Sequence, residues 1–311
     1  STLLASSAAS DVYKRQEDGT WNRDLIKLDD RNPMLSNSYN FKKEYATRAF
    51  NTVFANIDIW KGLRFASTFS YDFVMNKSRS WKDPRTSDGD DENGRFSKDY
   101  NDITNMTWSN ILTYQTRIRQ KHNLDLLAGY EINDKESDGL GVTISNFARW
   151  DKPEVNNGVV YQSMGGSDMA TRIVSYITRA NYDYDSKYYL GASWRTDGSS
   201  RLARENRWGN FWALSGGWRI SNEAFLRDVR WVNDLKVRLG YGVTGNNGFG
   251  NGYTTRMYKA NDMWPTNGIW QPGYGSVRNV NPDLKWEEKS ELNFGLDFSL
   301  FDDRLWGKFD I

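Results

Sequence analysis

The sequence predicts an all-β chain: a fragment of an antiparallel transmembrane β-barrel, about ten strands, with short turns at one end and long loops at the other. Three observations carry this. From Leu284 to Leu300 the even positions read Leu284, Trp286, Glu288, Ser290, Leu292, Phe294, Leu296, Phe298 and Leu300, and no odd position is apolar. A period of two is a strand with one apolar and one wet face; a helix would scatter these residues and be weakened at Gly295. Length is the second observation: at roughly 3.3 Å per residue and a tilt of about 45°, such a strand covers ~40 Å along a bilayer normal. The third is that connections alternate between short and long along the chain, which a soluble sandwich has no reason to do.

Composition agrees. The chain has 311 residues and near-cancelling charges, 41 Lys plus Arg against 40 Asp plus Glu, which argues against a polycationic nucleic-acid binder. Tryptophan (14) and tyrosine (17) are abundant, and mean hydropathy is −0.77. No run of 18 apolar residues is present to make a membrane helix, an absence that says nothing about barrel strands. Cysteine is absent, which removes disulfides and thiolate chemistry.

In chain order, residues 1–16 (STLLASSAASDVYKRQ) lack a basic region before their short apolar stretch and read as a non-native leader rather than a signal peptide. Residues 17–44 are polar, broken at Asn32-Pro33, and read as loop or incomplete strand; the barrel region is 45–311, stopping in mid-strand at Ile311, as a fragment would. Val53, Ala55, Ile57 and Ile59 alternate with polar neighbours; Lys61-Gly62 turns the chain into Leu63–Phe73. A polar loop is expected over Asn76–Asp102, then a strand to Arg117, a turn at Arg119–Lys121, and a strand carrying Leu124, Leu126, Ala128 and Tyr130 on one face. A second long loop is expected over Ser137–Ala170. The hairpin Ile173–Arg195 turns at Asp185–Lys187, and Trp208–Arg219 and Leu235–Thr244 are strands. Ser221–Asn233, between them, is long for its side and has room for a helical turn. Gly245–Asp283 is the last long loop, and Asp302-Asp303 turns the final hairpin.

Catalytic constellations are weak. His122 is the sole histidine: with no placed nucleophile it makes a poor Ser-His-Asp triad, without a second histidine there is no His-Glu-x-x-His zinc site, and a structural role is expected for it. The segment Asp88-Gly-Asp-Asp-Glu-Asn-Gly94 spaces acids like a calcium loop, but Asn93 stands where an EF-hand needs glycine and no helices flank it; a solvated outer loop is the simpler reading. Gly245–Gly252 lacks the G-x-G-x-x-G spacing and reads as loop. No metal or cofactor is expected, and no enzyme. The aromatics are more informative. Trp81, Trp264, Trp270 and Tyr274 fall in expected outer loops, where flat rings suit stacking on a substrate as well as ordinary packing. Trp194, Trp208, Trp212 and Trp286 fall near strand ends and are expected in an interfacial girdle. Arg64, Lys285, Glu287, Lys289 and Glu291 are expected on the wet face.

The ordered set HNLDLLAGYE (122–131), RANYDYDSKYY (179–189), RTDGSSR (195–201), GWRISNEAFL (217–226), LKVRLGYGVTGN (235–246) and Asn281–Ile311 resembles SusC/RagA-type TonB-dependent outer-membrane receptors of Bacteroidota. It covers the chain from about Asn32 onward. The resemblance implies a barrel of about twenty-two strands around a plug. It also implies a SusD-like surface lipoprotein and TonB as partners, outer-membrane lipid around the wall, and import of glycan oligosaccharides or peptides. The competing reading is a soluble, secreted, β-rich carbohydrate-binding module, in which the apolar faces would close a sandwich core.

Overall fold

The structure, a computed structural model, describes residues 18–19, 33–226, 229–254, 257–276 and 278–311. The segment 1–16 lies outside the described residues. One short helix, α1 (Pro33–Tyr39), precedes the strands β1 (Phe41–Trp60), β2 (Leu63–Lys82), β3 (Arg95–Ile118), β4 (His122–Phe147), β5 (Gly158–Tyr184) and β6 (Tyr188–Ser199). Then follow β7 (Trp208–Arg219), β8 (Val232–Asn246), β9 (Tyr258–Thr266), β10 (Ile269–Ser276), β11 (Glu287–Leu300) and β12 (Leu305–Asp310). Ten strands form one sheet in the order β1-β2-β3-β4-β5-β6-β7-β8-β11-β12, with β9 and β10 as a separate two-stranded ribbon. This is the all-β antiparallel architecture that the alternation predicts.

The register explains why the strands settle this way. Leu292, Phe294, Leu296 and Phe298 of β11 stand opposite Tyr241, Leu239, Val237 and Leu235 of β8. Leu239 and Tyr241 in turn face Gly216 and Leu214 of β7. A slip of one residue would throw every apolar side chain to the wet face, so the pattern pins the pairing. The apolar face is not covered by protein: Leu292 is 65% exposed and Leu239 54%. That is the reverse of a sandwich core.

The short turns have the backbone that tight hairpins need. Arg119 and Gln120 have φ of 50° and 59°, and Asp185 and Ser186 have 54° and 55°, a pair of left-handed residues whose twist matches that of the flanking strands. The exception, between β7 and β8, holds a 3-10 turn at Ile220–Asn222, the helical turn expected there. It is clasped by Glu223, whose carboxylate accepts from Tyr188 Oη (2.6 Å), Trp218 Nε1 (3.2 Å) and Lys187 Nζ (3.1 Å). These donors favour the ionised form and hold the Glu223 carboxyl below its ordinary range.

Several expected boundaries shift. The segment read as loop or incomplete strand to residue 44 contains α1 and the start of β1. The loops expected over Asn76–Asp102 and Ser137–Ala170 shrink to residues 83–94 and 148–157, because β2 and β3, then β4 and β5, continue as paired ladders past the apolar stretch. At the other end β11 starts at Glu287, opposite Asn246, so Leu284 and Trp286 precede the strand despite continuing its alternation.

The chain divides into two compact units, one including Tyr71–Asn105 and Lys135–Ala170, the other Asn51–Ser70, Met106–Asp134 and Thr171–Ile311. Each has a small core of its own. In the first, Trp81, Phe96, Ile144 and Phe147 are buried together, with Trp81 and Phe147 edge to face at 4.8 Å. In the second, Leu202, Phe211 and Trp286 are buried, packed by Leu284 and Val243.

Candidate functional site

A β-sheet with one wet and one apolar face, both open, does two things at once, and the second unit shows how each is built. On the polar face the charges are paired. Arg238 of β8 donates to both oxygens of Asp297 on β11 (2.9 Å each) and to Asp310 of β12 (2.9 Å), so one guanidinium ties three strands. It can do so because Gly295 is its cross-strand partner; a Cβ there would lie 2.6 Å from Arg238 Cζ. Lys236 sits 4.1 Å from the Tyr189 ring centre, and Asp125 accepts from Gln115 at 2.6 Å with Arg179 Nη2 at 3.6 Å. Around these groups is a depression of about 760 Å³, reached by Asp125, Asn181, Tyr189, Arg238 and Asn293. Asp125, Asn181, Arg238 and Asn293 present their polar atoms to it.

The apolar face carries two aromatic belts. Tyr184, Tyr188 and Trp218 mark one: Tyr184 pairs with Tyr188, and Tyr188 with Trp218. Tyr176 and Trp208 mark the other, their rings stacked at 6.1 Å, with Trp194 paired to Trp212 nearby. From Tyr188 to Gly198, the partner of Trp208, the strand climbs roughly 33 Å, or ~23 Å along the normal at a 45° tilt. That matches the ~25 Å apolar band of an outer-membrane barrel. Trp208 therefore stands where a girdle is expected, whereas the Trp194–Trp212 pair, six residues along from Tyr188 and roughly 14 Å along the normal, lies inside the band. Trp286 is outside the girdle too: it is 8% exposed, packs at 5.3 Å on Phe211 and donates Nε1 to the Arg207 carbonyl at 2.9 Å.

The four aromatics expected at the outer mouth divide. Trp81 is 3% exposed at the end of β2, donating Nε1 to Asp83, and offers no face for stacking. It is a core residue of the loop rather than a binding one. Trp264 (60% exposed), Trp270 (64%) and Tyr274 (73%) lie on the β9–β10 ribbon. Trp270 pairs with Pro265 and Trp264 with Gln271, so the two indoles leave the ribbon on opposite faces.

His122, at the start of β4, has Nδ1 2.7 Å from Tyr182 Oη and its ring 5.0 Å from that of Tyr184, a structural contact at a turn. In the acidic segment Asp88 accepts from Asn40 and Glu92 pairs with Arg95. No group of three His, Cys, Asp or Glu among the described residues is placed to hold an ion. What sequence reasoning missed is Asp83, which is 1% exposed and bound by Arg85 through its backbone N–H (3.0 Å) and its guanidinium (2.7 and 2.9 Å). Burial pushes this carboxyl up, but the bonds from Arg85 and Trp81 outweigh it and hold it below the usual carboxylate range.

Comparison with known proteins agrees with this wall. No protein-family profile matches the chain. TonB-dependent receptor P39 of Formosa agariphila is 30% identical over 272 residues, 86% of this chain and 25% of that protein. TonB-dependent receptor P3 of the same organism is 30% identical over 97% of this chain and 30% of its own length. TonB-dependent receptor SusC of Bacteroides thetaiotaomicron is 39% identical over 146 residues, 45% of this chain and 15% of SusC. The chain thus spans less than a third of these relatives. Among solved structures, that of the RagAB peptide transporter superposes with a TM-score of 0.82 over 94% of this chain and 33% of that one, at 24% identity. The chain is a stretch of barrel wall from a SusC/RagA-type TonB-dependent receptor of the outer membrane.

Proposed function

We propose that the full-length protein imports an oligomeric nutrient, a glycan oligosaccharide or a peptide, across the outer membrane, drawing energy from TonB and capturing substrate with a SusD-like surface lipoprotein. The observation that carries this is the two-faced sheet: paired charges on one side and a belted apolar band on the other, the wall of a wide aqueous passage. SusC is a TonB-dependent receptor by name, which supports the energy coupling, and the fold is shared with a structure described as a peptide transporter, RagAB, which supports an oligomeric cargo. Trp264, Trp270 and Tyr274, on the long-loop side, offer it stacking surfaces. The test is a deletion strain grown on a panel of polysaccharides and protein digests. Loss of growth on one class, restored by the full-length gene, is expected and names that class. Unchanged growth on every polymer overturns the reading.

A further inference from the structure

The β9–β10 ribbon is fixed at its base and closed along its edges. The loop 200–207 grips both limbs that lead to it: Thr254 Oγ1 donates to the Arg201 carbonyl (2.7 Å), and Asn206 Nδ2 to the Pro282 carbonyl (3.2 Å). The limbs also grip each other, the Asn281 N–H donating to the Tyr253 carbonyl at 2.8 Å. Within the ribbon Pro265 stands opposite Trp270, and a residue without an N–H cannot complete a hydrogen-bonded pair. Trp270–Pro265 is therefore a non-hydrogen-bonded pair, and because the two classes alternate, Pro272–Met263, two residues along, is another. Backbone groups of such pairs point away from the ladder. Pro265 thus removes a donor from the free edge of β9, and Pro272 one from that of β10, so neither edge accepts a further strand over this stretch.

Recognition by the ribbon must therefore use its faces. The register slips between Gly273 and Gly275 by one extra residue on β9, which leaves β10 regular, so Trp270, Pro272 and Tyr274 share a face. Met263 and Pro265 complete it, and Trp264 lies on the other. Trp270 and Tyr274, both exposed, stand four residues apart, on Cα atoms roughly 13 Å from one another, and the Pro272 ring fills the interval. This is a flat platform and not a groove. Peptides are caught by strand addition, by an apolar groove for a helix, by a ring-lined groove for polyproline, or by arginine clusters for acidic motifs. The prolines close the first route, the filled interval closes the second and third, and residues 258–276 contain no arginine for the fourth. A flat row of rings suits the C–H face of a sugar, which is drawn to the negative face of the ring and shielded there from water. One lysine and one aspartate in the ribbon cancel, so it does not select a charged polymer. Given that the receptor imports an oligomer, as proposed for it above, we propose that the Trp270–Tyr274 face binds a neutral oligosaccharide, which makes the imported class glycan and not peptide.

The test applies the full-length receptor, purified in mild detergent and fluorescently labelled, to an array of neutral and acidic oligosaccharides from plant, algal and microbial walls. A tryptic digest of casein and a proline-rich decapeptide are immobilised beside them, and each ligand bound is titrated by calorimetry. Neutral oligosaccharides should bind, and Trp270→Ala or Tyr274→Ala should each weaken them about fivefold while Trp264→Ala leaves them unchanged. Trp270→Phe, which keeps a ring, should stay within about twofold of wild type and carries the test should the alanine variant fail to assemble, as a heat-dependent gel shift reports. Binding of the digest or the decapeptide with no oligosaccharide bound, binding confined to acidic oligosaccharides, binding to nothing on the array, or an equal loss in the Trp264 variant overturns the proposal. The peptide outcomes leave import itself standing, whereas a deletion strain that grows on every polymer removes import and not merely its class.

Discussion

Asp83 shows how much one side chain can hold. Its carboxylate gathers Arg85 and the Trp81 indole at the start of the loop 83–94, in a site almost closed to water. Asp83→Asn should loosen that loop at neutral pH by about 2 kcal/mol, read as faster hydrogen exchange at the Gly94 amide, which bonds the Gly89 carbonyl. The folded carboxyl titrates below its unfolded value of ~3.9, so its stabilisation is complete above that value and is lost as pH falls toward the depressed one. Wild type and variant should therefore converge in acid; a gap that persists there would refute this account. Gly94 is the second constrained position. Its φ is 88° and a Cβ would stand 2.4 Å from the Trp81 ring, so Gly94→Ala should cost at least about 2 kcal/mol in the same loop and raise its protease sensitivity.

At the scale of elements, the β9–β10 ribbon makes the sharpest prediction about binding. Trp264 and Trp270 leave opposite faces, so a substrate stacked on one side of the ribbon touches only one of them. Replacing that tryptophan with alanine should weaken capture about fivefold, near 1 kcal/mol, while replacing the other changes little, as titration calorimetry on the purified receptor would show. The strands themselves were legible wherever one face meets lipid, because there burial forces strict alternation; Leu292, Phe294, Leu296 and Phe298 are the case in point. They were illegible beyond the apolar band. There the strict alternation stops, the paired backbone ladder and a few buried side chains such as Trp81 and Phe96 carry the strands, and β2 to Lys82 and β3 from Arg95 look like loop. Leu284 and Trp286 misled in the opposite sense: they keep the period of β11 but serve the core around Phe211 after pairing has stopped. The same core logic hid Trp81, since an aromatic in a polar stretch reads alike whether it waits for a ligand or closes a loop.

For the whole molecule, the ends of the sheet matter. β1 and β12 are the outer strands of the ten, and among the described residues each has one ladder of backbone groups without a partner in the sheet. Open edges on a flanking apolar face invite association. The 311-residue segment expressed alone should form oligomers in detergent and aggregate without it, whereas the full-length receptor should run as a discrete, heat-modifiable species on a gel; a monodisperse soluble segment would contradict the membrane wall.

The order of the strands also dictates how such a wall can be put together. Nearly every neighbour in the sheet is also the next in sequence, so zipping can proceed through local closures of small entropic cost. The seam between β8 and β11 differs, since residues 247–286, ribbon included, must be spanned before it shuts. That seam should be the slow step of assembly, and deleting the ribbon should speed maturation in a pulse-chase more than shortening any other connection.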